Sequence, residues 1–208
     1  IYAAIVVLVI VSITKRITTP SNYDIIITNG EVIDGSGSSS VYKDVGIIGN
    51  KIHKIGNLSS AESERYIDAE GLVVSPGFID VHVHLDPILR LSNSESHVRQ
   101  GVTTSLGGPD GTSPWPFGKF LDTLSQVGVG MNVAYLVGHN TVRRNVMGLE
   151  NRAPSEEELN EMERQISAGM DEGAYGISTG LKYLPGSFSE VEEVIALSKK
   201  ASEKGGVY

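Results

Sequence analysis

The sequence contains no cysteine. That excludes disulfides and thiolate metal sites, so any metal must be held by His, Asp, Glu or a modified Lys. Basic residues are also scarce, 17 Lys and Arg against 25 Asp and Glu, for a formal net charge of −8. No basic stripe is present to neutralise phosphates, which argues against a nucleic-acid partner. No apolar run reaches the roughly 20 residues that a membrane-crossing helix needs. The longest, IYAAIVVLVIVSI at residues 1–13, is followed by Lys15-Arg16. Its length suits the apolar region of a signal peptide or the tail of a truncated anchor, with a buried strand as the alternative. The expectation is an exported, periplasmic or membrane-anchored protein, attached, if at all, through residues 1–13. The chain starts at Ile1 rather than Met, and at Tyr208 it stops where a strand begins. It reads as the N-terminal fragment of a longer protein.

Glycine is plentiful, at 24 residues, and implies many short loops. A linker, TTPSNY, leads into a stretch of short β signals. DIIITNGEVID puts Asn29-Gly30 between two β-rich runs, VGIIGNKIHKIG does the same with Gly49-Asn50, and RYIDAEGLVVSPG with Glu70-Gly71. Each reads as a hairpin. The organisation expected is a signal or anchor segment with linker at 1–20, a small β-sheet domain at 21–76, and a different unit from 77 to 208.

After Pro76, strand and helix signals alternate. FIDVHVHLD, VTTSLGG, MNVAYLVGH and AYGISTG read as strands, and VY opens a fifth. Between them, Phe117, Phe120, Leu121 and Leu124 recur at helical spacing, as do Leu159, Met162, Ile166 and Met170. Ser155 with Glu158, and Ser189 with Glu192, read as capping boxes. Such alternation means parallel βαβ units. A doubly wound sheet would carry a glycine-rich phosphate turn after its first strand, and HVHLD is not one. A (β/α)8 TIM barrel collects its chemistry at the C-terminal strand ends, where His82, His84, Asp110, His139 and Tyr183 all fall. The fold class expected is α/β: a small β-sheet domain followed by about the first half of a barrel, since a full barrel takes about 250 residues.

Residues two apart in a strand share a face, so Asp80, His82 and His84 should point together. Buried parallel strands are normally apolar, and two imidazoles inside a barrel need partners. A divalent metal supplies one; a hydrogen-bonded pair of core histidines is the alternative.

With those residues in view, SPGFIDVHVHLD resembles the first-strand motif of the amidohydrolase superfamily, in which a small β domain precedes a (β/α)8 barrel. GVTT at Gly101–Thr104, LVGHNTVR at Leu136–Arg143 and GISTGLKYLPG at Gly176–Gly186 narrow the resemblance to the N-acyl-D-amino-acid deacylase (D-aminoacylase) branch. It implies metal-dependent hydrolysis of the linear amide of an N-acyl-D-amino acid, with His82 and His84 as metal ligands and one or two divalent ions, zinc, manganese or another. Where many D-aminoacylases carry a cysteine ligand, this chain has Asp110, the candidate third ligand; Pro109-Asp110-Gly111 is equally a good turn sequence. Tyr183 is a candidate for contact with the small-molecule N-acyl amino acid, His139 for the same contact or for orienting its loop, Arg143 and Arg144 for holding the substrate carboxylate, and Asp80 for a supporting hydrogen bond. No general base falls within these residues; the resemblance puts it at a later aspartate, so the 208 residues alone are expected to be inactive. Lys182 lies beyond the strand end at which cyclic-amide hydrolases carry a carboxylated lysine, which disfavours the dihydroorotase or hydantoinase alternative. An inactive metal-binding relic is the other alternative.

Overall fold

A computed structural model describes residues 22–208; the apolar run at 1–13 lies outside them. Among the described residues no helix is long and apolar enough to cross a membrane. The chain divides into two compact units, with the boundary after Pro76.

The first unit is all β. Strands β1 (Asn22–Thr28), β4 (Asp44–Ile48), β5 (Lys51–Gly56) and β6 (Glu62–Asp68) form one sheet in the order β5-β4-β1-β6. A second sheet joins β2 (Glu31–Val32), β3 (Val41–Tyr42) and β7 (Val73–Val74). Only the Gly49-Asn50 turn makes the expected hairpin, between β4 and β5. At Asn29-Gly30 the chain changes sheets instead: β1 pairs in parallel with β6, and β2 in parallel with β7. The Glu70-Gly71 turn makes the same change on the partner strand. The two turns are packed together, with Asn29 Nδ2 donating to Asp68 Oδ1 at 2.9 Å. A Cβ on Gly30 would sit 2.5 Å from Val74 Cγ2, so only glycine permits that approach. Turn residues mark where the chain bends; they do not say which strand it rejoins.

The second unit alternates parallel strands with helices. Strands β8 (Phe78–Asp80), β9 (Val102–Gly107) and β10 (Asn132–Tyr135) pair as neighbours, all parallel. Strand β11 (Val137–Gly138) continues from β10 and pairs in parallel with β12 (Ile177–Ser178). Gly176 then bridges in parallel to Val207. Neighbours therefore follow chain order without the reversal of a doubly wound sheet, as in the opening strands of a (β/α)8 barrel.

Helices α1 (Glu95–Val98), α2 (Phe117–Val127), α3 (His139–Met147), α4 (Glu156–Asp171) and α5 (Val191–Ser202) occupy the connections. Their apolar faces meet the strands: Phe117, Leu124, Val142, Met162, Ile166 and Leu197 are buried with Val137 and Ile177 in one core. At roughly 1.5–3 kcal/mol per fully buried large apolar side chain, this core is what fixes the strand ends. Helix α3 was not foreseen. Helix α5 starts without the expected box, because Ser189 Oγ donates to Gly186 O at 2.6 Å.

The start of α4 follows the sequence. Ser155 Oγ accepts from Glu158 N at 3.2 Å, and Glu158 Oε2 accepts from Ser155 N at 2.7 Å. Arg152 grips the same carboxylate with two bonds of 2.6 and 2.7 Å, and, with Ser155, holds Glu158 down at about 2 against an ordinary 4.5. Ser155→Ala is expected to cost about 1 kcal/mol in denaturant unfolding. A carboxyl depressed on folding stabilises above its unfolded pKa, and that contribution fades as pH falls through the folded value. The stability advantage of the wild type over Glu158→Gln is therefore expected to be complete above about pH 5 and to shrink steadily towards pH 2.

Candidate metal centre

Strand β8 ends at Asp80, six residues short of the expected run FIDVHVHLD, so the shared strand face does not orient the histidines. Asp80 turns back instead, and its Oδ1 accepts the His82 amide at 3.1 Å. This short turn carries His82 and His84 out past the strand end, their ring centroids 6.1 Å apart. From the next strand, the loop after β9 brings Asp110 to meet them. Its Oδ2 lies 3.1 Å from His84 Nε2 and 3.6 Å from His82 Nε2. One ligand-type atom from each of the three lies within 4.8 Å of the others. Four ligands set tetrahedrally about 2.0–2.1 Å from a zinc ion would be roughly 3.4 Å apart. The spacing and the two-nitrogen, one-oxygen donor set fit a divalent cation.

Asp110 is also the turn residue that its neighbours advertise. Its φ is 56°, with Gly108 and Gly111 at 76° and 75°. The left-handed conformation suits Asp, whose short side chain tolerates it. The turn and ligand readings are thus the same arrangement.

A cleft of about 550 Å³ opens beside His84 and Asp110. Its lining includes Leu85, Phe120, Tyr135 and Tyr183, along with Asp86. Among the described residues no Lys or Arg lines it, so its local charge favours a cation. Tyr183 is where the sequence suggested, half exposed on the rim. Tyr135 was not foreseen, although it closes β10 at the strand end where barrel chemistry gathers. Its ring meets Phe120 edge-on at 4.9 Å. Burial, and then the nearby Asp86 charge, push its phenol well above the usual range, so it stays protonated as a donor.

His139 and Arg143 do not line the cleft. They lie one turn apart on α3 and face inward, fully buried, onto Glu193 of α5. His139 Nε2 is 2.7 Å from Glu193 Oε1, Arg143 Nη1 donates to Glu193 Oε2, and Arg143 Nη2 donates to Arg152 O at 2.6 Å. Burial alone would raise the Glu193 carboxyl, but the bonds from His139 and Arg143 outweigh it and leave it below the usual range. Arg144 is exposed, and its Nη2 donates to Leu184 O at 3.0 Å. The arginines read as carboxylate holders therefore hold the fold. The missed signal was Glu193, at the third position of a charged helix start that reads as a solvated turn. His97 is half-buried on α1, and exposed His53 stacks edge-on with Tyr23 in the first unit.

The sequence profile of the amidohydrolase family matches residues 65–207. The chain belongs to this family. Among curated relatives, the D-aminoacylase of Alcaligenes xylosoxydans xylosoxydans is 35% identical over 210 residues, spanning 89% of this chain and 43% of that protein. A solved D-aminoacylase, studied for its binuclear metal centre, one-metal activation and second-metal attenuation, superposes with a TM-score of 0.85 at 34% identity, over 89% of this chain and 44% of its own. The N-acyl-D-glutamate deacylase of Bordetella bronchiseptica, solved with zinc and a phosphonate mimic of the tetrahedral intermediate, gives 0.82 at 32% identity, over 88% and 44%. The chain thus spans less than half the length of these amidohydrolases, and it shares with them the small β domain and the first part of the barrel.

The buried ion cluster generates a prediction of its own. Arg143→Met strips Glu193 of a buried partner and is expected to lower stability by about 3–5 kcal/mol, read by denaturant unfolding. A variant of unchanged stability and raised KM would instead return Arg143 to the substrate.

Proposed function

We propose that the protein carrying this chain is a metal-dependent hydrolase of N-acyl-D-amino acids, releasing a carboxylate and a free D-amino acid. The observation that carries the reading is the convergence of His82, His84 and Asp110 at the mouth of a cleft walled by apolar side chains and two tyrosines. The D configuration and the linear amide are supported by the relatives alone. Zinc is the proposed ion, one or two per site, with manganese a fair substitute because the donor set here is all nitrogen and oxygen.

His82 Nε2, His84 Nε2 and Asp110 Oδ2 would hold the ion. When bound, it lowers the pKa of a coordinated water from 15.7 to about 7 and polarises the amide carbonyl. Tyr183, on the rim, is placed to donate a hydrogen bond to the carbonyl or carboxylate of the substrate, and Tyr135 keeps a protonated phenol on the inner wall. Leu85 and Phe120 offer an apolar surface from which water is excluded around the acyl or side-chain group. Asp80 acts through the His82 backbone, fixing where the imidazole leaves the strand. The proton acceptor is assigned to none of these residues, and the 208 residues alone are proposed to be inactive. The division at residues 20 and 76, and export directed by the apolar run at 1–13, belong to the same reading. The lack of a lysine at the end of β12, with Lys182 exposed in the loop beyond it, weighs against the cyclic-amide alternative.

The test compares the full-length protein with its Asp110→Ala variant for bound zinc and for turnover of N-acetyl-D-amino acids against hydantoins. Wild type is expected to retain zinc and favour the linear D-substrates. The variant should bind zinc more weakly by at least the roughly 10–100-fold that even outer contacts carry. Equal zinc affinity in the two proteins would remove Asp110 from the ligand set, and preference for hydantoins would transfer the chain to the cyclic-amide hydrolases.

A further inference from the structure

The loop that carries Asp110, itself largely buried, and the loop that carries Tyr183, exposed at its tip, are both tied to one buried side chain. Asn140, in the first turn of α3, is 1% exposed. Its Nδ2 donates to Gly180 O at 3.2 Å and makes a longer contact of 3.5 Å with Asp110 O. Both carbonyls belong to strand-end loops, one after β9 and one after β12. The fit around the carboxamide is close. A Cβ on Gly111 would come within 2.9 Å of Asn140 Cγ, and a Cβ on Gly186 would collide with Asn140 Oδ1. The two loops press so tightly that a Cβ on Gly180 would collide with the Asp110 carbonyl.

Neighbouring residues of α3 reinforce the same loops. Thr141 N donates to Gly111 O at 3.2 Å, and Thr141 Oγ1 accepts from Ser113 N at 3.0 Å. Arg144 lies one turn beyond Asn140, on the same helix face, and caps Leu184 O in the Tyr183 loop. The N–H donors of the Asn140 carboxamide reach both loops at once, while its Oδ1 has no partner among the described residues. A buried amide whose donors are spent on two loop carbonyls is placed for its donors.

We infer that Asn140 is a positioning residue of the metal centre: it sets the carboxylate of Asp110 by holding that loop against the loop of Tyr183. The inference rests on the proposed role of Asp110 as a ligand. It acts through the backbone, so losing the amide frees the Asp110 turn and lets its carboxylate drift from the histidines. Outer contacts that orient metal ligands typically carry 10–100-fold in affinity.

The test is a double-mutant cycle in the full-length protein, with zinc affinity measured by chelator competition and folding followed by thermal melting. Asn140→Ala is expected to weaken zinc binding about ten-fold or more in the wild-type background. In the Asp110→Ala background it should change zinc affinity by less than about two-fold, because contacts that share a partner are not additive. Asn140→Ser, which keeps a shorter donor, should fall between, and it carries the test if Asn140→Ala does not fold. An equal loss in both backgrounds assigns Asn140 to general stability and overturns the inference. So does unchanged zinc affinity in Asn140→Ala while Asp110→Ala loses zinc, which leaves the ligand reading intact. If Asp110→Ala itself keeps full zinc affinity, the ligand reading fails and the positioning role falls with it.

Discussion

The parallel pairing of β8 and β9 is the constraint from which the site follows. It sets Asp80 beside Ser105, so the two chains leave the sheet at the same level and in the same direction. His82 stands two residues beyond the end of β8, and Asp110 three beyond the end of β9. In an antiparallel pair, adjacent chains leave at opposite ends, and groups this close in register could not meet. Clustering polar groups at one mouth also keeps them out of the apolar layer between sheet and helices, where unpaired polar groups are costly.

Bringing a carboxylate to that mouth requires a sharp change of direction after β9, and the sequence Gly-Gly-Pro-Asp-Gly supplies it. Three of its five residues adopt positive φ. Such a turn has few contacts of its own and would be loose if left in solvent. Ser178 bridges it, its Oγ donating to Gly108 O at 2.6 Å and accepting from Gly111 N at 3.0 Å. Conformational freedom needed to make the bend is thus removed again by hydrogen bonds from β12 and α3. A candidate ligand held in this way would lose less entropy on binding a cation than one on a free loop.

Much of this was legible from residue patterns, and where it was not the reason is physical. The α4 capping box and the amphipathic stripes depend on contacts local in sequence, so composition and spacing reveal them; the order of the parallel strands follows from the alternation of strand and helix signals, which leaves few topologies. His82, His84 and Asp110 were legible because they fall where strand signals end. The sheet change at Asn29-Gly30 was not, since a turn sequence fixes a bend while the partner strand is chosen by packing 40 residues away, at Ala69 and Val74. His139 and Arg143 were misplaced for a similar reason. A polar helix start and a loop look alike in sequence, and the partner that draws both side chains inward, Glu193, lies about 50 residues further on.

Helix α3 joins these threads. Its residues four apart share a face, so His139 and Arg143 point to Glu193 on α5, while Asn140 and Arg144 point to the loops that flank the cleft. The inward face is expensive to disturb, because a buried carboxylate held by an arginine and a histidine has no solvent to fall back on. The helix is therefore anchored on one side by charge and presents a fixed set of donors on the other. That explains why so polar a segment is buried near a candidate active site without lining it: its charges hold the frame, and its neutral amide reaches the loops. An apolar α3 would bury more readily but would leave the carbonyls of Asp110, Gly180 and Leu184 without these donors, and the mouth of the cleft without a rigid edge.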